Sequence, residues 1–109
     1  MPADTGVIIV LTNFPDRDSA LAVARRLVEE KLAACVNVLE GCTSVYRWKG
    51  KLESEHEVTA LIKTRTELID AVESAIRSQH PYQLPEIVAV AVVAGFAPYL
   101  SWVRAETAG

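Results

Sequence analysis

Seven consecutive residues, His80-Pro81-Tyr82-Gln83-Leu84-Pro85-Glu86, bring an imidazole, a phenol and a carboxylate onto one short connection. Each proline fixes φ and drives the residue before it towards extended geometry, so these side chains sit on a stiffened segment. Neutral imidazole nitrogen combined with carboxylate oxygen suits copper(II) and other divalent metals, which makes His80 and Glu86 metal-ligand candidates. Two residues are an incomplete ligand set, which a neighbouring copy of the chain would have to complete. The structural alternative for His80 is that it caps the helix before it by donating to the terminal carbonyls.

Other candidate groups lie upstream. Cys35 is a soft donor for copper(I) or zinc, although a thiol at the start of an apolar strand also serves as a small hydrophobe. Cys42 lies seven residues further on without CxxC spacing, which argues against a zinc cage and for two free thiols. Tyr46 and Trp48 share one strand face, as a wall for a ligand or as an interface between copies. Glu57 and Lys63, six residues apart, face the same way and read as a site pair or an ordinary ion pair. Glu53, Glu55 and Glu57 make an acidic row with His56 on the opposite face. Tyr99 and Trp102 have the helical spacing of packing residues. No nucleophile elbow, HExxH, P-loop or suitably placed carboxylate pair is present, and Cys35 with His80 is a poor case for a thiol–imidazole pair, so the chain reads as non-catalytic with no organic cofactor.

The elements that must position these groups follow from the apolar pattern. Val7 to Thr12 is a continuous apolar run, hence a buried strand. Asp16 to Leu32 carries a helical stripe of Ala20, Val23, Ala24, Leu27 and Val28. Cys35 to Trp48 reads as a long strand with a bulge near Glu40-Gly41, and Lys49-Gly50 as a turn. Glu53 to Lys63 returns as a strand. Thr64-Arg65-Thr66-Glu67 reads as a capping box, with Thr64 as N-cap of a helix that Pro81 stops. Ile87 to Val93 is a further apolar strand, and Pro98 opens a short helix through Val103. The order βαββαβ plus a helix predicts an α+β, ferredoxin-like sandwich, one domain over residues 1–109, with the first and third strands central.

Composition fits that reading. The chain has 109 residues, half of them hydrophobic, and a formal net charge of −3. Nucleic acid is therefore not an expected partner, because phosphate neutralisation needs a clustered basic surface. No run is long enough for a membrane span. Met1 to Gly6 lacks the basic and apolar regions of a signal peptide, so the cytoplasm is the expected compartment.

Two features predict association. The last strand of this topology lies at a sheet edge, yet it is apolar on both faces and would aggregate uncovered. A domain of this length spans about 35 Å, whereas a strand of about 14 residues reaches ~46 Å. The ribbon must either bend sharply near Gly41 or project and pair with a neighbour.

The blocks Lys31-Leu32-Ala33-Ala34-Cys35-Val36-Asn37, Thr43-Ser44-Val45-Tyr46-Arg47-Trp48-Lys49-Gly50, Glu57 with Lys63-Thr64, His80-Pro81-Tyr82 with Pro85-Glu86, and Tyr99-Leu100-Ser101-Trp102 occur in this order over nearly the whole chain. Together they resemble the CutA family of divalent-cation-tolerance proteins. The resemblance implies a homotrimer joined through its hairpins, a link to copper and other divalent metals, and a cleft between copies containing Tyr46, Trp48, Glu57, Lys63 and Tyr82. An alternative by analogy with trimeric PII-type sensors is a small anionic ligand in clefts between copies, with Lys63, Arg47, Tyr46 and Trp48 as the cleft residues. The chain departs from some relatives: Leu11 stands where they carry a cysteine proposed to bind copper, and Gln79 where others have a second histidine. Glu40 and Ala91 stand where the family often has proline.

Overall fold

A computed structural model describes residues 4–107. Part of the Met1–Gly6 segment therefore lies outside the described residues. Eight elements follow one another: β1 (Val7–Phe14), α1 (Arg17–Glu29), β2 (Cys35–Trp48), β3 (Lys51–Arg65), a 3₁₀ turn (Thr66–Leu68), α2 (Ile69–Gln79), β4 (Val88–Ala91) and α3 (Ala97–Glu106). The strands form one antiparallel sheet in the order β2-β3-β1-β4, with β1 and β3 in the middle. Among the described residues no helix is long and apolar enough to cross a membrane.

Alternation in the central strands decides where the core lies. Val10, Phe14, Ala60 and Ile62 point to one face of the sheet, where Ala20, Val23 and Leu27 of α1 and Val72, Ala75 and Ile76 of α2 cover them. Asp16 opens α1 by accepting the Ser19 amide at 2.8 Å. The helix stops at Glu29 rather than reaching Leu32, because Lys31 turns left-handed with φ of 60°. Leu32 and Ala33 then send their amides back to the Leu27 carbonyl at 2.9 and 3.1 Å. A second cluster, Val7, Leu100 and Val103, seats α3 against the other face of the sheet near one end.

The capping-box expectation at Thr64 is corrected. β3 runs on to Arg65, and Thr64 lies fully buried opposite Ile8. Its hydroxyl donates to the Leu32 carbonyl at 2.7 Å, tying the strand to the loop after α1. Glu67 does not reach back as a cap; it accepts from Arg65 at 3.0 Å. Core burial of a small β-branched residue outweighs the local capping motif. β4 is shorter than Ile87–Val93, since Ile87 packs against the core, although the Val92 amide still bonds the Val7 carbonyl at 3.0 Å.

The ribbon projects. β1 has 8 residues while β2 and β3 have 14 and 15, and β1 ends with Phe14 opposite Val58. Beyond that point β2 and β3 pair only with each other, from Cys42 opposite Glu57 to Trp48 opposite Lys51. The register shifts between Leu39 and Cys42, where Gly41 takes a φ of 85° that a side chain would strain. Lys49 and Gly50, both at positive φ, close the turn. The molecule measures 44 × 32 × 23 Å, so its long axis is the length of an extended ribbon.

Replacing Thr64 by valine should cost about 1–3 kcal/mol, because the partly buried Leu32 carbonyl loses its donor. Glu67→Ala should stay within about 0.5 kcal/mol, as expected for an exposed side chain outside a cap. Urea unfolding at fixed protein concentration measures both, and the opposite ranking would restore the capping box.

Candidate functional site

The end of β1, the emerging ribbon and the loop after α2 enclose a cleft of about 690 Å³. Tyr46, Trp48 and Ser44 line it from β2, Glu57 from β3, Asn13 from β1, and Pro81, Tyr82, Leu84 and Glu86 from the loop. Strand alternation puts Ser44, Tyr46 and Trp48 on the same face as Glu53, Glu55 and Glu57, with which Ser44 and Tyr46 are in register. His56 pairs with Thr43 on the opposite face, as expected.

His80 organises the loop. Its backbone amide closes α2 on the Ile76 carbonyl, but its ring turns away from the helix end. Nε2 donates to the Asn13 carbonyl at 2.6 Å, Nδ1 accepts the Tyr82 amide at 3.1 Å, and the ring stacks on Phe14 with centroids 4.4 Å apart. Partial burial holds the imidazole pKa below its ordinary value, against the opposing effects of the Asn13 hydrogen bond and the Glu57 charge. A neutral ring with a donor Nε2 and an acceptor Nδ1 is what these two bonds require.

The clamp delivers Tyr82 to Glu57. Its phenol donates to Glu57 Oε2 at 2.9 Å, and burial, followed by this bond, pushes the phenol pKa well above its ordinary range. Tyr82 therefore stays a donor. Glu57 is only 9% exposed, and none of the ion pairs among the described residues includes it. Tyr46 is also held above its ordinary range, by burial first and then by the charges of Glu55, Glu53 and Glu57. On the other side Asn13 accepts from Thr59 at 2.7 Å and donates to Glu86 at 3.3 Å.

Of the residues singled out in the sequence, the cleft gathers Tyr46, Trp48, Glu57, Tyr82 and Glu86. It leaves out Lys63 and Cys35, which lie opposite each other in the register, four positions along β3 from Thr59, or ~13 Å. The Glu57–Lys63 pair does not form: Lys63 donates to Asn37 while Glu57 accepts from Tyr82. Cys35 is half-buried beside Tyr99, whose phenol is raised by burial first and then by that thiol. His80, Glu86 and Cys35 are thus not brought into one ligand set. Both imidazole nitrogens are engaged within the chain, Glu86 meets Asn13, and among the described residues no group of three or more His, Cys, Asp or Glu is placed to hold a metal ion. The described residues of one chain do not fit a metal centre. Asn13, which lines the cleft, and Thr59, which donates to it from β3, were not singled out in the sequence; Asn13 has the local signal of a polar interruption after an apolar strand, and Thr59 has none.

Because the fold favours neutral His80, the unfolded chain binds more protons in the window from the ordinary value of 6.5 down to the lowered folded value. The clamp's stabilisation is therefore present above that window and lost as pH falls through it. Protonation would set an Nδ1–H against the Tyr82 N–H. Thermal midpoints followed from pH 8 to 5 should fall for the native chain, and His80→Gln should flatten that part of the curve. An unchanged slope in the variant would remove His80 from this role.

Residues 8–106 match the family model described as CutA1 divalent ion tolerance protein. The chain is 41% identical over 99 residues to the divalent-cation tolerance protein CutA of Thermus thermophilus, covering 91% of this chain and 96% of that one. It is 46% identical over 102 residues to the protein of the same name from Yersinia pestis strain Pestoides F, covering 94% and 86%. The human protein CutA is 46% identical over 93 residues, 85% of this chain but 52% of the human one. Among solved structures, CutA from Xylella fastidiosa superposes with a TM-score of 0.91 at 42% identity, covering 94% of this chain and 98% of that chain. The chain belongs to the CutA1 divalent ion tolerance family.

Proposed function

We propose that the protein acts in divalent-cation tolerance as a non-catalytic homotrimer of ferredoxin-like subunits. The observation that carries the assembly is β4: Val88–Ala91 is apolar, lies at an outer edge of the sheet, and is exposed along its whole length. A bare apolar edge pairs with whatever strand it meets, and the projecting ribbon offers Val45 and Leu52 at 66% and 73% exposure. Three copies is the number the family resemblance implies, and the names of the relatives carry the link to divalent cations.

Metal contact in this reading is made between copies, since one chain supplies an incomplete set. Glu86 is the foremost contributor, being exposed at the cleft mouth. His80 would have to surrender one of its two internal bonds to join, and Cys35 lies at the far end of the ribbon. The anionic-ligand reading is not favoured: the cleft lining holds Glu57 and Glu86 and no lysine or arginine. Two free thiols suit a reducing compartment, and the cytoplasm is our proposed location.

Sedimentation velocity at micromolar concentration should give three times the 11.9 kDa of one chain. A folded monomer there would reject the assembly. Copper(II) calorimetry should show binding that Glu86→Gln weakens while His80→Ala chiefly lowers stability; no binding at all would reject the metal role.

A further inference from the structure

Alternation fixes which backbone groups the outer edge of β4 offers. The Val92 amide bonds the Val7 carbonyl, so Val90 and Val88 also turn their backbone groups to β1, while Ala89 and Ala91 turn theirs outwards. Ala89 lies opposite Val10 and Ala91 opposite Ile8, on the face that α1 and α2 bury elsewhere, yet both alanines are exposed. The helices leave a shelf there. Val88 and Val90 stand on the other face, opposite Leu11 and Ile9.

The ribbon carries a complementary edge. Thr66 donates to the Gly6 carbonyl, so even-numbered residues of β3 bond β1 and odd-numbered ones, from Lys51 to Glu57, bond β2. The free backbone groups on the outer edge of β2 are then those of Thr43, Val45 and Arg47. Their side chains share the helix-bearing face: Val45 is opposite Ser54 and Arg47 opposite Leu52, on the same alternation as the buried Ala60 and Ile62.

Residues directly opposite in an antiparallel pair share a face. The two edges therefore join into one continuous sheet, with large ribbon side chains on the alanine shelf. One register fills both faces. With Ala89 opposite Arg47 and Ala91 opposite Val45, Val90 meets Tyr46 and Val88 meets Trp48, four side chains left 39% to 50% exposed in one chain. A two-residue shift either way sets Trp48 against Glu86 or Val88 against Gly50.

Charge selects the same register. Arg26 of α1 holds Ser78 and the Ala75 carbonyl, so that flank of α2 faces α1. Glu73 lies on the opposite flank, towards β4. It stands near the middle of α2, which runs back along β1 to His80 on Phe14, and so at the level of Val10 and Ala89. Glu73 and Arg47 are exposed, and neither belongs to an ion pair among the described residues.

We propose that the ribbon of a second copy adds antiparallel to β4 in this register, with Arg47 of the neighbouring copy reaching across the alanine shelf to Glu73. The inference rests on the proposed assembly and names the strands, register and charge pair that hold it. Each copy offers one ribbon and one edge, a head-to-tail contact that a ring closes.

Disulfide trapping in the full chain tests the register. Val90 and Tyr46 would form a non-hydrogen-bonded pair with Cα atoms about 4.5 Å apart, within disulfide reach. Under mild oxidation the double variant Val90→Cys, Tyr46→Cys should run as covalent multimers on a non-reducing gel, several-fold more than either single variant. Val88→Cys with Tyr46→Cys, one register away, should trap several-fold less. Equal trapping by both pairs, or none in an assembly that sediments intact, would overturn the register; a folded monomer would reject the assembly and this contact with it. Arg47→Glu and Glu73→Arg should each lower the thermal midpoint of the assembly at low salt, and combining them should recover most of the loss. That recovery should shrink in about 1 M salt. Losses that simply add would overturn the charge pair.

Discussion

The central strand β1 is too short for the ribbon it anchors. Its 8 residues serve only the inner half of β3, so the outer half of the β2–β3 pair leaves the sheet with no third strand beside it. A two-stranded ribbon has little stability alone in water. Its outer residues, Val45, Tyr46, Trp48 and Leu52, are left 39% to 73% exposed for the same reason. The apolar outer edge at β4 completes the pattern: one chain creates more unpaired strand and apolar surface than it can cover.

The cleft follows from the same mismatch. Where β1 stops, the corner between its end and the departing ribbon is open, and the loop after α2 fills part of it. The loop keeps its shape through side chains rather than regular structure: Pro81 and Pro85 limit its backbone, and His80 bolts it to the end of β1 through Asn13 and Phe14. Tyr82 then carries that geometry across to Glu57 on β3. Tyr82 thus joins two separate hydrogen bonds, its backbone amide donating to the His80 ring and its phenol to the Glu57 carboxyl group.

Much of this was legible in the residues. The short apolar run of β1, the stripe of α1, the bulge at Gly41 and the Lys49-Gly50 turn all rest on local periodicity or backbone freedom, which a sequence displays directly. Length alone left the ribbon to bend or to project; that it projects depends on where β1 stops, at Phe14. Thr64 misled because a capping box is a local signal, while its burial opposite Ile8 depends on the whole sheet. Glu57 and Lys63 were correctly placed on one face, yet their partners, Tyr82 and Asn37, lie in other elements and no spacing rule names them. His80 was legible as a helix end; that its ring crosses to Asn13, 67 residues away, was not.

Amide hydrogen exchange on the native protein most directly tests whether the uncovered ribbon and edge are completed by further copies. The amides of Val88–Ala91 that point away from β1, and those of the ribbon from Cys42 to Glu57, should be protected nearly as well as Val10 and Ile62 in the core. Exchange of those amides at the rate of an open chain, with the core still protected, would mean that one copy stands alone and that its exposed strands have no partner.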